Sequence, residues 1–169
     1  LSLISEMLVK KKILHKKLSS IELEKTIKKN FTYVWKIYYE LQIPMLLKYN
    51  EIFKDLETFH IFGTCVHNQH LREMDSKGEI NRIDFLSSNL LKINLLGLNA
   101  MSISDITGIP RATVVRKLKK LVKKKYLSVN DKKLYVITDQ PVKKLGPIQK
   151  VIINKLSDFS SQIFNLTRL

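Results

Sequence analysis

The stretch Ser102-Ile-Ser-Asp-Ile-Thr-Gly-Ile-Pro-Arg-Ala-Thr-Val-Val-Arg-Lys-Leu-Lys-Lys-Leu121 leaves a chain few ways to fold. Ser102 is a residue type that caps helices, and Asp105 follows at capping-box spacing. Gly108 suits a tight turn, because without a Cβ it takes positive φ freely. Pro110 fits the first turn of a following helix, where its missing N–H leaves no bond unmade. Each mark is ordinary alone. In this order they predict a short helix, a glycine turn and a second helix.

At 100° per residue the second helix separates into two faces. Val114, Leu118 and Leu121 follow i, i+4, i+7 and form the stripe expected in the core. Ala112, Arg116, Lys119 and Lys123 lie on the opposite side with Lys120 close by, and Arg111 and Thr113 sit near the N-terminal end. Downstream, Tyr126-Leu-Ser-Val129 and Leu134-Tyr-Val-Ile137 read as two strands around Asn130-Asp-Lys-Lys133. Asn and Asp favour a tight turn there, and Lys132 and Lys133 put positive charge at its tip.

Two helices across such a turn are the layout of a helix-turn-helix, whose second helix enters the DNA major groove. Arg111, Thr113 and Arg116 are the candidates for base or near-base contacts. Arginine can pair with guanine O6 and N7, and threonine can bond a phosphate or pack on a thymine methyl. Lys119, Lys120, Lys123, Lys132 and Lys133 are the candidates for phosphates, which give affinity and salt dependence rather than sequence choice.

The charge distribution agrees. The chain has net charge +15, which suggests a polyanionic partner. Codon bias toward lysine would spread that charge evenly. Instead residues 1–30 are net +5, residues 31–100 net −1, and residues 101–169 net +11, from fifteen basic against four acidic residues. The surplus sits on and after the helix pair.

At these residues the chain resembles the winged helix-turn-helix transcriptional regulators, in particular their MarR-like and IclR-like domains. The shared pattern is Gly108, Ile109, Thr113, Val114, Arg116, Leu118 and Leu121, and the resemblance covers about residues 85–138. It implies a duplex DNA partner, a role in transcription regulation, and a hairpin wing along a flanking phosphate or minor groove. One position departs from the pattern: Lys125 stands where such domains usually place glycine before the wing. Either this lysine takes the left-handed conformation or the helix ends differently.

The expected fold is mainly α: a helical N-terminal layer at 1–78, where regulators by analogy keep a dimerisation or effector surface, the winged helix-turn-helix with its small hairpin at 79–140, and a C-terminal helix for dimerisation at 141–169. In the N-terminal layer, Leu3–Leu18 alternates apolar residues with lysine runs, either a solvated helical face or a surface for phosphates or an anionic membrane. Ser19-Ser-Ile-Glu22 matches a capping box. The helix after it would carry Ile27, Phe31, Val34, Trp35, Tyr38 and Leu41 on a broad apolar face and break or kink after Ile43, at Pro44. A further helix over Met45–Met74 would bury Ile52, Leu56, Phe59, Phe62 and Val66, with a loop at Asp75–Glu79. Arg82–Leu98 reads as the first, buried helix of the DNA-reading unit. The aromatics from Phe31 to Tyr39 read as core rather than as a base-stacking platform.

Leu145, Ile148, Ile152, Leu156, Phe159, Ile163 and Leu166 approximate a heptad seam. Such a helix either packs on its own domain or pairs two copies, which would present two reading helices to a pseudo-palindromic site; a homodimer is the expectation. Cys65, His67, His70 and His60 invite a metal, but their spacing matches no closed site and they spread around a helix. No metal and no cofactor are expected.

An enzyme is not expected either, since Walker, GxGxxG, GxSxG and HExxH motifs are all missing. One cysteine and no run of 18 apolar residues point to a soluble cytoplasmic protein with no membrane partner. A small-molecule effector is unknown. The competing functional readings are an architectural or replication-associated nucleic-acid binder without operator choice, and a winged helix that docks a protein.

Overall fold

The structure is a computed structural model, and it describes residues 19–77 and 97–167. The lysine-rich Leu3–Leu18 segment and residues 82–96 of the expected Arg82–Leu98 helix lie outside the described residues. The described chain is mainly helical with one small antiparallel sheet. Its elements are α1 (Ser20–Lys29), α2 (Phe31–Phe53), α3 (Leu56–Lys77), α4 (Ala100–Thr107), α5 (Arg111–Lys123), β1 (Leu127–Val129), β2 (Tyr135–Ile137) and α6 (Gln140–Leu166).

Two compact units divide the chain: Leu1–Pro44 with Ile152–Leu169, and Met45–Val151. In the first unit, Ser19 caps α1 as expected. Its hydroxyl accepts from the Glu22 N–H at 3.1 Å, and the Glu22 carboxylate accepts from the Ser19 N–H at 3.2 Å. A single residue, Asn30, then separates α1 from α2. The core of this unit is Leu23, Val34, Ile37 and Ile163, with Ile27, Phe159 and Leu166 packed against it.

Two of the sequence expectations fail in α2 and α3, and of the two outcomes offered for Pro44 the break does not occur. Pro44 lies inside α2 and does not end it. The helix stops at Phe53, where Lys54 turns into left-handed backbone (φ 70°) and Asp55 starts α3 by accepting from the Thr58 N–H at 2.7 Å. An aspartate cap ended the helix where the proline did not. Phe31 and Trp35 are exposed rather than buried, and so is Leu56. Finally, α3 continues through Asp75, Ser76 and Lys77, which were expected in a loop.

The second unit has the larger core. Phe53, Ile61, Phe62 and Cys65 meet Ile103, Ile109, Val114, Leu118, Leu121, Tyr126 and Leu127. α3 packs on α4, α5 and β2, and α5 packs on β1. The expected strands form within one residue of their predicted ends, in the register Leu127↔Ile137, Ser128↔Val136 and Val129↔Tyr135. Leu98, expected at the end of a helix, is instead extended. It bridges to Tyr135 through bonds of 2.8 and 3.2 Å, giving β2 a neighbour on its other side. Gly97 makes that approach possible: a Cβ there would fall 2.2 Å from the Tyr135 carbonyl oxygen.

Candidate nucleic-acid interface

The site is built on the α4–turn–α5 segment. Asn99, not Ser102, caps α4: its backbone is extended and its side-chain oxygen accepts from the Ser102 N–H at 2.9 Å. Two capping residues stand three apart, and the one with extended backbone takes the role. Gly108 closes α4 in the left-handed region (φ 69°), with its N–H on the Ser104 carbonyl at 2.8 Å. Ser104 also donates to the Ile109 carbonyl at 2.7 Å, which ties the turn back to α4 while Ile109 enters the core. Pro110 stands one position earlier than expected, in extended backbone just before α5.

On α5, Val114, Leu118 and Leu121 are completely buried, as the wheel requires. Arg111, Ala112, Arg116, Lys119, Lys120 and Lys123 are exposed, and Thr113 is half-buried. Geometrically, 112, 116, 119 and 123 make one line down the helix. Among the described residues, no carboxylate pairs with Arg111, Arg116, Lys119, Lys120, Lys123, Lys132 or Lys133. Their charge is therefore available to a ligand.

Lys117 behaves differently, and the wheel assigns it no role. Only 4% of it is exposed. Its ammonium donates to Asp55 Oδ1 at 2.5 Å, approaches Glu57 Oε2 at 3.0 Å, and lies 3.4 Å from the Thr58 hydroxyl. Burial disfavours the charged form, but the bonds and charges of Asp55 and Glu57 outweigh it and hold the Lys117 pKa above its ordinary value. Asp55 mirrors this. Burial opposes its ionisation, yet Lys117 and the Thr58 N–H and hydroxyl hold its carboxyl below the usual range. One aspartate thus starts α3 and anchors the middle of α5. A pair 62 residues apart leaves no trace in local sequence patterns.

The end of α5 settles the choice posed by Lys125. The lysine takes left-handed backbone (φ 58°). Its N–H bonds the Val122 carbonyl at 2.8 Å, and the Tyr126 N–H bonds the Leu121 carbonyl at 2.9 Å. These are the paired bonds of a Schellman ending, with lysine where glycine is usual. The Thr138 hydroxyl donates to the Lys125 carbonyl. Lys144 lies 5.6 Å from the centre of the Tyr126 ring, within cation–π range.

At the hairpin tip, Asn130 sets the turn. Its side-chain oxygen accepts from the N–H groups of Lys132 (3.1 Å) and Leu134 (2.9 Å). Its carbonyl accepts from the Lys133 N–H at 2.9 Å. Lys133 is left-handed (φ 59°), again a position that favours glycine. Lys132 and Lys133 are exposed there.

Among the described residues, Cys65, His60 and His67 do not come together as metal ligands do. Cys65 is buried in the apolar core, and that burial pushes its thiol up to about 12. His60 and His67 are exposed. Among the described residues no three His, Cys, Asp or Glu side chains come together as metal ligands do. No described helix is long and apolar enough to cross a membrane. In comparisons with known proteins, the chain matches no family model, no curated protein and no solved structure.

Proposed function

We propose that the chain binds duplex DNA in a sequence-specific manner, as a transcription regulator of the winged helix-turn-helix kind. α5 reads the major groove and the β1–β2 tip contacts the backbone. The observation that carries this reading is the pattern of pairing on α5. Its one buried lysine is neutralised by two carboxylates, while its exposed line of Arg116, Lys119 and Lys123 is left without acidic partners among the described residues. A helix evolved only for solubility has no need of that separation; a helix facing phosphates does.

Arg111 and Arg116 are suited to base edges because a guanidinium can make two parallel bonds to guanine. Lysines are point charges suited to phosphates. Arg111→Ala should relax sequence preference and weaken the selected duplex by roughly 1–3 kcal/mol. Lys132→Ala should weaken all duplexes alike and reduce the salt slope by about one phosphate equivalent. Equal loss on every sequence for Arg111→Ala would remove its role as a base reader.

Selection of bound duplexes from a random pool at near-physiological salt tests the reading as a whole. Enrichment of a defined motif supports a regulator. Retention without enrichment replaces it by an architectural binder. If no duplex is retained, the basic face serves another partner.

A further inference from the structure

α2 carries an apolar stripe that the fold of its own unit does not use. Phe31, Trp35, Tyr39 and Ile43 follow one another at intervals of four and are 54, 41, 47 and 52% exposed. Val34 and Ile37 face the core of the first unit, roughly 100–180° around the helix from the middle of the stripe. The rings are ordered against each other. Phe31 and Trp35 stack with centroids 4.9 Å apart, Trp35 lies 5.7 Å from Tyr38, and Tyr38 lies 5.6 Å from Tyr39. Four such half-exposed side chains present on the order of 400 Å², given about 150–250 Å² for each large aromatic. The largest apolar patch on a monomer is typically of this size and is often functional.

Charge identifies the occupant. The chain's charge surplus sits in residues 1–30 and 101–169, and those basic segments repel a second copy of the chain. Residues 31–47 hold one cation and one anion, Lys36 and Glu40, and are neutral. Both lie on the same flank of the stripe, 3.7 Å apart and more than half exposed. Two copies of α2 laid antiparallel about a twofold axis near residues 37–38 put Trp35 beside Tyr39. In the same register Lys36 of each copy lies beside Glu40 of the other. An isologous contact requires this self-complementarity. A DNA backbone would find no cation surplus on this face.

The helix expected to pair copies has already spent part of its seam: Phe159, Ile163 and Leu166 pack on Leu23, Val34 and Ile37 of their own unit. We propose that the aromatic stripe of α2, Phe31–Trp35–Tyr39–Ile43 with its Lys36/Glu40 flank, is the surface on which a second copy of this chain docks. The patch supplies about half of the roughly 800 Å² per partner of a standard interface, which puts the contact among the small, transient ones. This inference does not rest on the DNA reading, and its test contains no DNA.

The test is sedimentation velocity of the full chain across a concentration series, with circular dichroism to verify folding. The wild type should pass from monomer to dimer. Glu40→Lys sets like charges opposite each other twice per dimer and should weaken association by roughly tenfold or more, as should Lys36→Glu. Mixing the two single variants should restore association, because every facing pair is then opposite in charge while neither monomer regains its own Lys36–Glu40 pair; damage to the monomer fold would not allow that. Tyr39→Ser should weaken association without rescue. A wild type monomeric at every concentration overturns the proposal. So does a dimer indifferent to these changes but broken by Leu156→Ser on α6, and so does association that appears only after residues 1–18 are removed.

Discussion

A methyl group at Gly97 would need the space held by the Tyr135 carbonyl, 2.2 Å from where its carbon would lie. The obstacle is backbone, which cannot rotate aside. Gly97→Ala should therefore lower stability by about 2–3 kcal/mol, read as a fall in urea midpoint with little change in slope. Asp55 makes a different demand, because its carboxyl is held below its ordinary value of 3.8. A depressed carboxylate contributes stability that is present above its unfolded value and lost as pH falls through its folded value. Acid unfolding of the wild type should extend below pH 4, and Asp55→Asn should remove that part of the acid limb. If the two proteins share one acid midpoint, the Lys117–Asp55 pair contributes nothing to folding. Lys117 has the opposite sign: its contribution is complete below an unfolded value of 10.5 and fades only in stronger alkali.

Elements show what local sequence can and cannot announce. The α4–Gly108–α5 turn was legible because it depends on steric rules of single residues, a glycine free of Cβ and a proline free of N–H. The β1–β2 hairpin was legible from alternation and turn chemistry. The break between α2 and α3 lies past Pro44, because left-handed Lys54 and the Asp55 cap set it and the proline does not. The grip of Asp55 and Glu57 on Lys117 could not be read at all, since nothing local marks a contact between α3 and α5. The exposed aromatics of α2 were assigned to the core on residue type, although their spacing of four separates them from Val34 and Ile37. At the end of α5 the lysine in left-handed backbone is testable. Lys125→Gly keeps both Schellman bonds and removes the Cβ penalty, so it should raise stability by about 0.5–1 kcal/mol. A lower melting temperature would show that the lysine stem packs usefully.

At the scale of the whole chain, two cores give two handles on stability. Cys65 is the chain's one cysteine and belongs to the core of the second unit. With its thiol pushed up to about 12 and enclosed by apolar side chains, it should react with thiol reagents only when that unit opens. Labelling at pH 8 should be slow in the native chain and immediate in denaturant. If Trp35 fluorescence, which reports the first unit, changes in urea before Cys65 becomes reactive, the two cores melt separately. Coincident changes indicate one cooperative transition.

The left-handed lysines set stability against affinity. At positions 125 and 133 the chain holds a cation in backbone that glycine would occupy at lower energy. Laboratory selection for heat tolerance alone should drift toward glycine at both, and each step would subtract one positive charge from the face proposed to meet nucleic acid. Survivors would be hardier and less adhesive, so a population selected for both properties would keep the strained residues.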